Sequence, residues 1–128
     1  MTRSLLIVDD SATTRAFIRR TIQMAGIEAD TFHQASDGLA GLQILRNHPV
    51  DLVLADLHMP IMDGAEMARR ILADSALKHI PVLIVSADPN TERLEQLRKE
   101  GAAGYVRKPF TPEAFRDAIV PLLGASNA

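Results

Sequence analysis

The sequence has no cysteine, and that excludes disulfides, thiolate metal sites and cysteine nucleophiles while suiting a reducing compartment. Long apolar runs are also missing, for no stretch nears the roughly 20 residues of a membrane-spanning helix. The opening run Leu5-Leu6-Ile7-Val8 is interrupted by Asp9 and Asp10, unlike a signal peptide. A soluble, cytoplasmic chain without membrane insertion is the expectation. Neither sign of charge dominates. Fourteen Lys and Arg against sixteen Asp and Glu leave −2, with no block of like charge, which argues against a nucleic-acid partner. With 128 residues, 47% hydrophobic and 23% charged, the chain suits one globular domain that buries its own core without metal or disulfide staples.

Five short apolar runs, at 5–8, 29–33, 52–55, 82–85 and 103–106, alternate with longer amphipathic stretches. Short, nearly continuous apolar runs predict strands buried on both faces; the run at 29–33 is the most polar and predicts an edge. Helical spacing links Ile18, Ile22 and Ala25, with Gly26 as the stop. It links Gly41, Leu42 and Leu45, ended by Asn47-His48-Pro49, then Met67, Ala68 and Ile71, then Leu94 and Leu97. A last helix carries Phe115, Ala118, Ile119 and Leu122, opened by Thr111 as N-cap and Pro112 at the first helical position. Strand and helix alternating five times predict an α/β fold: a doubly wound, five-stranded parallel sheet with helices on both faces. The expected domain is 1–124, with 125–128 a short disordered tail.

In such sheets ligands bind beyond the carboxyl ends of the strands. Asp9 and Asp10 follow the first run, Asp56 the third, Ser86 the fourth and Lys108 the fifth. Three carboxylates in one place repel one another unless a cation or proton sits among them. An all-oxygen set with few carboxylates suits Mg²⁺ better than Ca²⁺. A hydroxyl and an ammonium opposite are placed to hold phosphoryl oxygens. Each residue also has a plainer role, since a single Asp at a strand end is more often a helix cap or turn former. Five such coincidences at the ends of four strands are harder to accept.

These stretches resemble a response-regulator receiver domain of the single-domain chemotaxis type. The matching segments are Leu6-Ile7-Val8-Asp9-Asp10-Ser11, Asp51-Leu52-Val53-Leu54-Ala55-Asp56, Met59-Pro60-Ile61-Met62-Asp63-Gly64, Pro81-Val82-Leu83-Ile84-Val85-Ser86-Ala87 and the run from Gly101 to Phe110. The resemblance implies a flavodoxin-like strand order 2-1-3-4-5. It also implies a phospho-accepting role in a two-component or phosphorelay pathway rather than a turnover enzyme. By the same resemblance Asp56 is the phospho-acceptor, taking its phosphoryl group from a phosphohistidine or a small donor. Asp9, Asp10, Asp56 and the backbone carbonyl of His58 bind Mg²⁺. Lys108, joined to Pro109 by a cis peptide, pairs with the phosphoryl group, and Ser86 donates to it. Ser86 and Tyr105 act as the switch, biasing a surface that includes Glu92, Glu95, Gln96, Lys99, Tyr105 and Arg107. A sensor histidine kinase or histidine phosphotransfer protein is the implied donor, with an unknown protein target downstream.

Ser86 stands where many relatives have threonine, and the hydroxyl is retained. His58 and Asp88 occupy flanking positions that modulate acyl-phosphate lifetime in receivers, so an altered lifetime is expected. Two other functions compete. An aspartyl-phosphate hydrolase would carry an aspartate at position 58, where this chain has His58, and a cap domain for which there is no room. A non-phosphorylated pseudo-receiver, a pure interaction module, would have lost an acidic residue or the lysine, and none is lost. His33, His48, His58 and His79 lack ligand spacing, and no phosphate-cradling glycine loop follows the first run. Arg15, Arg19 and Arg20 form a solvated face with kinase docking as the alternative. Asp37-Gly38 and Asp63-Gly64 are turns or caps, and Met59, Met62 and Met67 fill gaps.

Overall fold

A computed structural model describes residues 3–126. The elements alternate as β1 (Ser4–Val8), α1 (Ala12–Met24), β2 (Thr31–Ala35), α2 (Gly38–Asn47), β3 (Leu52–Ala55), α3 (Gly64–Ala73), β4 (Val82–Ser86), α4 (Thr91–Glu100), β5 (Gly104–Arg107) and α5 (Pro112–Ser126). All pairings are parallel, in the order β2-β1-β3-β4-β5. This is the doubly wound, flavodoxin-like arrangement.

Period-two alternation along the strands divides the core. Leu5 and Ile7, Leu52 and Leu54, Leu83 and Val85 face α1 and α5, where they meet Ile18, Ile22, Phe115 and Ile119. Leu6 and Val8, Val53 and Ala55, Val82 and Ile84 face α2, α3 and α4, where Leu42, Met67, Ile71, Leu94 and Leu97 close over them. Both faces of β1, β3 and β4 are therefore dry, as their apolar runs required. Met62 and Met67 are buried in that second layer and Met59 packs on it, so all three fill gaps.

β2 lies at an edge, as its polarity indicated, but it runs two residues later than the apolar run at 29–33. Ser4 pairs with Thr31 and Val8 with Ala35, so strand pairing and the burial of Ala35 beside β1 set the boundary, not the apolarity of Ala29. Asp30 is occupied outside the strand: its carboxylate accepts the Arg3 amide at 2.9 Å. α5 continues through Ser126, so residues 125 and 126, expected in the tail, are helical, and Asn127 and Ala128 lie outside the described residues.

The helix ends follow their caps. Ser11, Asp37, Asp63, Asn90 and Thr111 each accept an amide of the first turn of their helix. After α1, Gly26 at φ 82° lets its own amide reach the carbonyl of Gln23 and the amide of Ile27 reach that of Ile22. That paired closure satisfies carbonyls the helix leaves open, and glycine allows the left-handed turn. Among the described residues, no helix is long and apolar enough to cross a membrane.

Candidate functional site

The sheet delivers five polar side chains to one edge. β1 leads into Asp9 and Asp10, β3 into Asp56, β4 ends on Ser86 and β5 leads into Lys108. Carboxylate oxygens of Asp9, Asp10 and Asp56 all lie within 4.8 Å of one another. Asp9 is buried, Asp56 half-buried and Asp10 exposed. Lys108 Nζ sits 3.0 Å from Asp9 Oδ2 and 3.6 Å from Asp56 Oδ2. The Lys108–Pro109 peptide is cis. Burial pushes the Asp56 carboxyl above its ordinary value; Lys108 opposes this, Asp9 adds to it, and the amides of His58 and Leu57 pull it back down.

Asp56, Ser86 and Lys108 share a cleft of 390 Å³ with His58, Ala87, Asp88 and Pro89. Ser86 Oγ accepts the Asp88 amide at 3.1 Å. Asp88 is the hub of this rim. Its Oδ1 accepts the Asn90 amide at 2.7 Å, its Oδ2 meets His58 Nε2 at 2.7 Å, and Arg93 Nη1 stands 3.6 Å away. The Asn90 amide first, then His58, hold the Asp88 carboxyl below the ordinary carboxylate range. The sequence marks His58 and Asp88 as two flanking positions, and the structure joins them in one bridge between the β3–α3 and β4–α4 loops.

Two arginines have firmer roles than a solvated face. Arg15 Nη1 donates to the Asp9 backbone carbonyl at 2.5 Å and its Nε to Gln34 at 3.0 Å, bracing the loop after β1. Arg19 lies over the Phe32 ring, 5.0 Å from its centroid. Tyr105 is half-buried against the α4 layer, and its hydroxyl helps Arg98 hold Glu95 below the usual range. His33 and His48, fifteen residues apart, meet ring to ring at 4.8 Å, tilted by 31°. Burial and then His48 lower the His33 pKa. Among the described residues, the acidic trio is the one group of three or more side chains assembled as metal ligands would be.

A family model for the response regulator receiver domain matches residues 5–120. The chain belongs to that family. It is 35% identical over 123 residues to the chemotaxis protein CheY of Pseudomonas aeruginosa, covering 96% of this chain and 98% of that protein. It is 34% identical over 115 residues to the chemotaxis protein CheY-3 of Vibrio cholerae, covering 90% and 87%. The solved structure of the chemotaxis response regulator CheY4 of Vibrio cholerae matches with a TM-score of 0.81 at 29% identity, over 95% of this chain and 99% of that one. A receiver domain structure from Clostridium thermocellum gives 0.84 at 25% identity, over 98% and 97%. This receiver is thus a phospho-accepting signalling module of the CheY type.

Proposed function

We propose that Asp56 is the phospho-acceptor of this receiver and that the side chains around it assist both its phosphorylation and its dephosphorylation. The observation that carries the reading is the placement of Lys108 between the Asp9 and Asp56 carboxylates, at a cleft shared with Ser86. An Asp56 carboxylate oxygen attacks phosphorus, the nitrogen–phosphorus bond of a phosphohistidine breaks, and an acyl phosphate remains on the chain. The Lys108 ammonium offsets negative charge arriving at Asp56, and the Ser86 hydroxyl turns to donate to a phosphoryl oxygen. Tyr105 then follows Ser86 inward, altering the surface made by α4, β5 and α5 for an unidentified protein target.

The acidic trio fits a hard cation. Three carboxylates within 4.8 Å carry more negative charge than the nearby Lys108 balances, and all the donors are oxygen. Asp10 is exposed, which leaves room for metal-bound water, as Mg²⁺ prefers. Asp9, Asp10, Asp56 and the His58 backbone carbonyl would hold it. When bound, Mg²⁺ supplies positive charge that neutralises phosphoryl oxygens.

The donor is a sensor histidine kinase or a histidine phosphotransfer protein, met in the cytoplasm. Support for a protein donor comes from α1, where Phe17 is exposed beside Arg20 and stacks edge-on against Phe110, two residues past Lys108. An apolar patch next to the acceptor edge suits a docking helix.

The test is an intact-mass spectrum after incubation with Mg²⁺ and a small phosphodonor, beside metal-free and Asp56→Asn controls. A single phosphoryl adduct, absent from both controls, is expected. No adduct and no Mg²⁺ binding would instead make the domain a pseudo-receiver.

A further inference from the structure

Arg107 ends β5 and stands opposite Ser86 in the register between β4 and β5. Its guanidinium leaves the strand and grips the loop that follows Ser86. Nη1 donates to the Asp88 backbone carbonyl at 3.3 Å, and Nη2 donates to the hydroxyl of Thr91, the first residue of α4. The same Asp88 donates its amide to Ser86 Oγ. One side chain therefore ties together the residue that occupies the Ser86 hydroxyl and the start of the helix behind it.

The tie has a mechanical consequence. If Ser86 turns toward Asp56, the Asp88 amide loses its acceptor at a position where Ser86 and Asp88 are both buried. A buried donor without a partner is costly, so the loop must move with the hydroxyl or find that amide another acceptor. Arg107 resists such movement by fixing the carbonyl of the same residue. Tyr105, two residues back on the same face of β5, lies beside Glu95, one helical turn beyond Thr91. Arg107 and Tyr105 thus form two polar rungs between β5 and α4, and the Arg107 rung is the one tied to the cleft.

We propose that Arg107 is a positioning residue of the phosphoryl site, a resting-state clamp that keeps the Ser86 hydroxyl engaged with Asp88 and is released when a phosphoryl group takes that hydroxyl. The proposal rests on Asp56 being the acceptor. Because coupling is reciprocal, whatever the clamp takes from phosphoryl binding, phosphoryl binding takes from the clamp.

The experiment is a calorimetric titration with beryllofluoride, which mimics the acyl phosphate, in saturating Mg²⁺ on the intact chain, with urea unfolding of each variant alongside. Arg107→Met keeps the aliphatic stem and removes both donors, and it binds about three- to tenfold tighter, as loss of one or two partly solvated hydrogen bonds implies. Arg107→Lys falls between it and wild type, and Thr91→Val gives a smaller gain in the same direction. A merely structural arginine would lower the urea midpoint and leave affinity equal or weaker. Equal or weaker binding by both Arg107→Met and Thr91→Val overturns the clamp. Wild-type chain that fails to bind beryllofluoride overturns the acceptor reading itself, and the clamp with it.

Discussion

Lys108 Nζ lies 3.0 Å from Asp9 Oδ2 and 3.6 Å from Asp56 Oδ2, so one cation restrains two carboxylates brought together by different strands. Replacing it leaves Asp9, Asp10 and Asp56 to repel one another. Lys108→Met costs about 1–3 kcal/mol in metal-free buffer, less than the ~3–5 of a fully buried pair because the Lys108 side chain is 21% exposed. Mg²⁺ then stabilises the variant more than the wild type, since the ion supplies the missing charge. Urea unfolding with and without Mg²⁺ measures both effects. Equal Mg²⁺ stabilisation of the two proteins would remove the trio from consideration as the metal site.

Asp56 gives a pH dependence whose sign follows from the direction of its shift. Burial and Asp9 raise its carboxyl above the ordinary value of 3.8 despite Lys108, so between the two values the native chain holds the proton that the unfolded chain has lost. Stability falls as pH rises through the native pKa, and at neutral pH the ionised side chain is a net cost. Asp56→Asn is accordingly more stable than wild type in metal-free buffer at pH 7. The advantage fades as pH falls toward 3.8, where the unfolded carboxyl also takes up its proton. If Asp56 is a Mg²⁺ ligand as proposed, saturating Mg²⁺ narrows or reverses the difference, because the variant lacks that carboxylate. Denaturation midpoints across the pH range decide it; parallel curves would show that the carboxylate is well accommodated without a cation.

His58 and Asp88 supply a direction for the acyl-phosphate lifetime. Their 2.7 Å contact joins the two loops that border the Asp56 cleft, and both residues line it. Breaking the bridge admits water more freely to phosphorus. His58→Ala and Asp88→Asn, the latter keeping an acceptor for the Asn90 amide, shorten the lifetime by roughly two- to tenfold. Loss of the adduct after removal of the phosphodonor, followed by mass spectrometry, gives the rate. An unchanged lifetime in both variants would reduce the bridge to a contact between loops with no part in the chemistry.

What the sequence revealed and what it concealed differ in physical origin. Leu5 to Val8, Leu52 to Ala55 and Val82 to Val85 had to be buried on both faces, so their apolar runs marked both strand and layer. The acidic trio followed, because a parallel sheet brings all strand ends to one edge. β2 was shifted by two residues because pairing with β1, not apolarity, sets its limits. The contacts of Asp88 were hidden. His58 is 30 residues away and Arg107 19, and both meet Asp88 only through the path of one loop. The two Asp-Gly pairs suggest turns or caps, and Asp37 and Asp63 are caps. That reading left no trace of what the second glycine does.

Gly64 lies where α3 begins against the strand end that carries Asp56. A Cβ there would stand 2.2 Å from the Asp56 carbonyl oxygen and 3.1 Å from the Leu57 Cα, and both are backbone atoms with little freedom to withdraw. The Gly64 amide also donates to the Leu57 carbonyl at 3.0 Å, which fixes the helix start at that separation. Gly64→Ala therefore forces the loop away from β3, costs about 2–3 kcal/mol by overpacking, and slows phosphorylation of the folded fraction by displacing Asp56. Gly26→Ala is the contrasting case. Gly26 has φ 82° with nothing within 4 Å of the new Cβ, so the change costs about 1 kcal/mol of backbone strain. It leaves phosphorylation untouched, because Gly26 closes α1 beside Arg3, at the end of β1 opposite the one that leads into Asp9 and Asp10. Urea unfolding and small-donor phosphorylation of the two variants separate a glycine needed by the fold from one needed by the site, and equal phosphorylation by both would show that the Asp56 loop tolerates the intrusion.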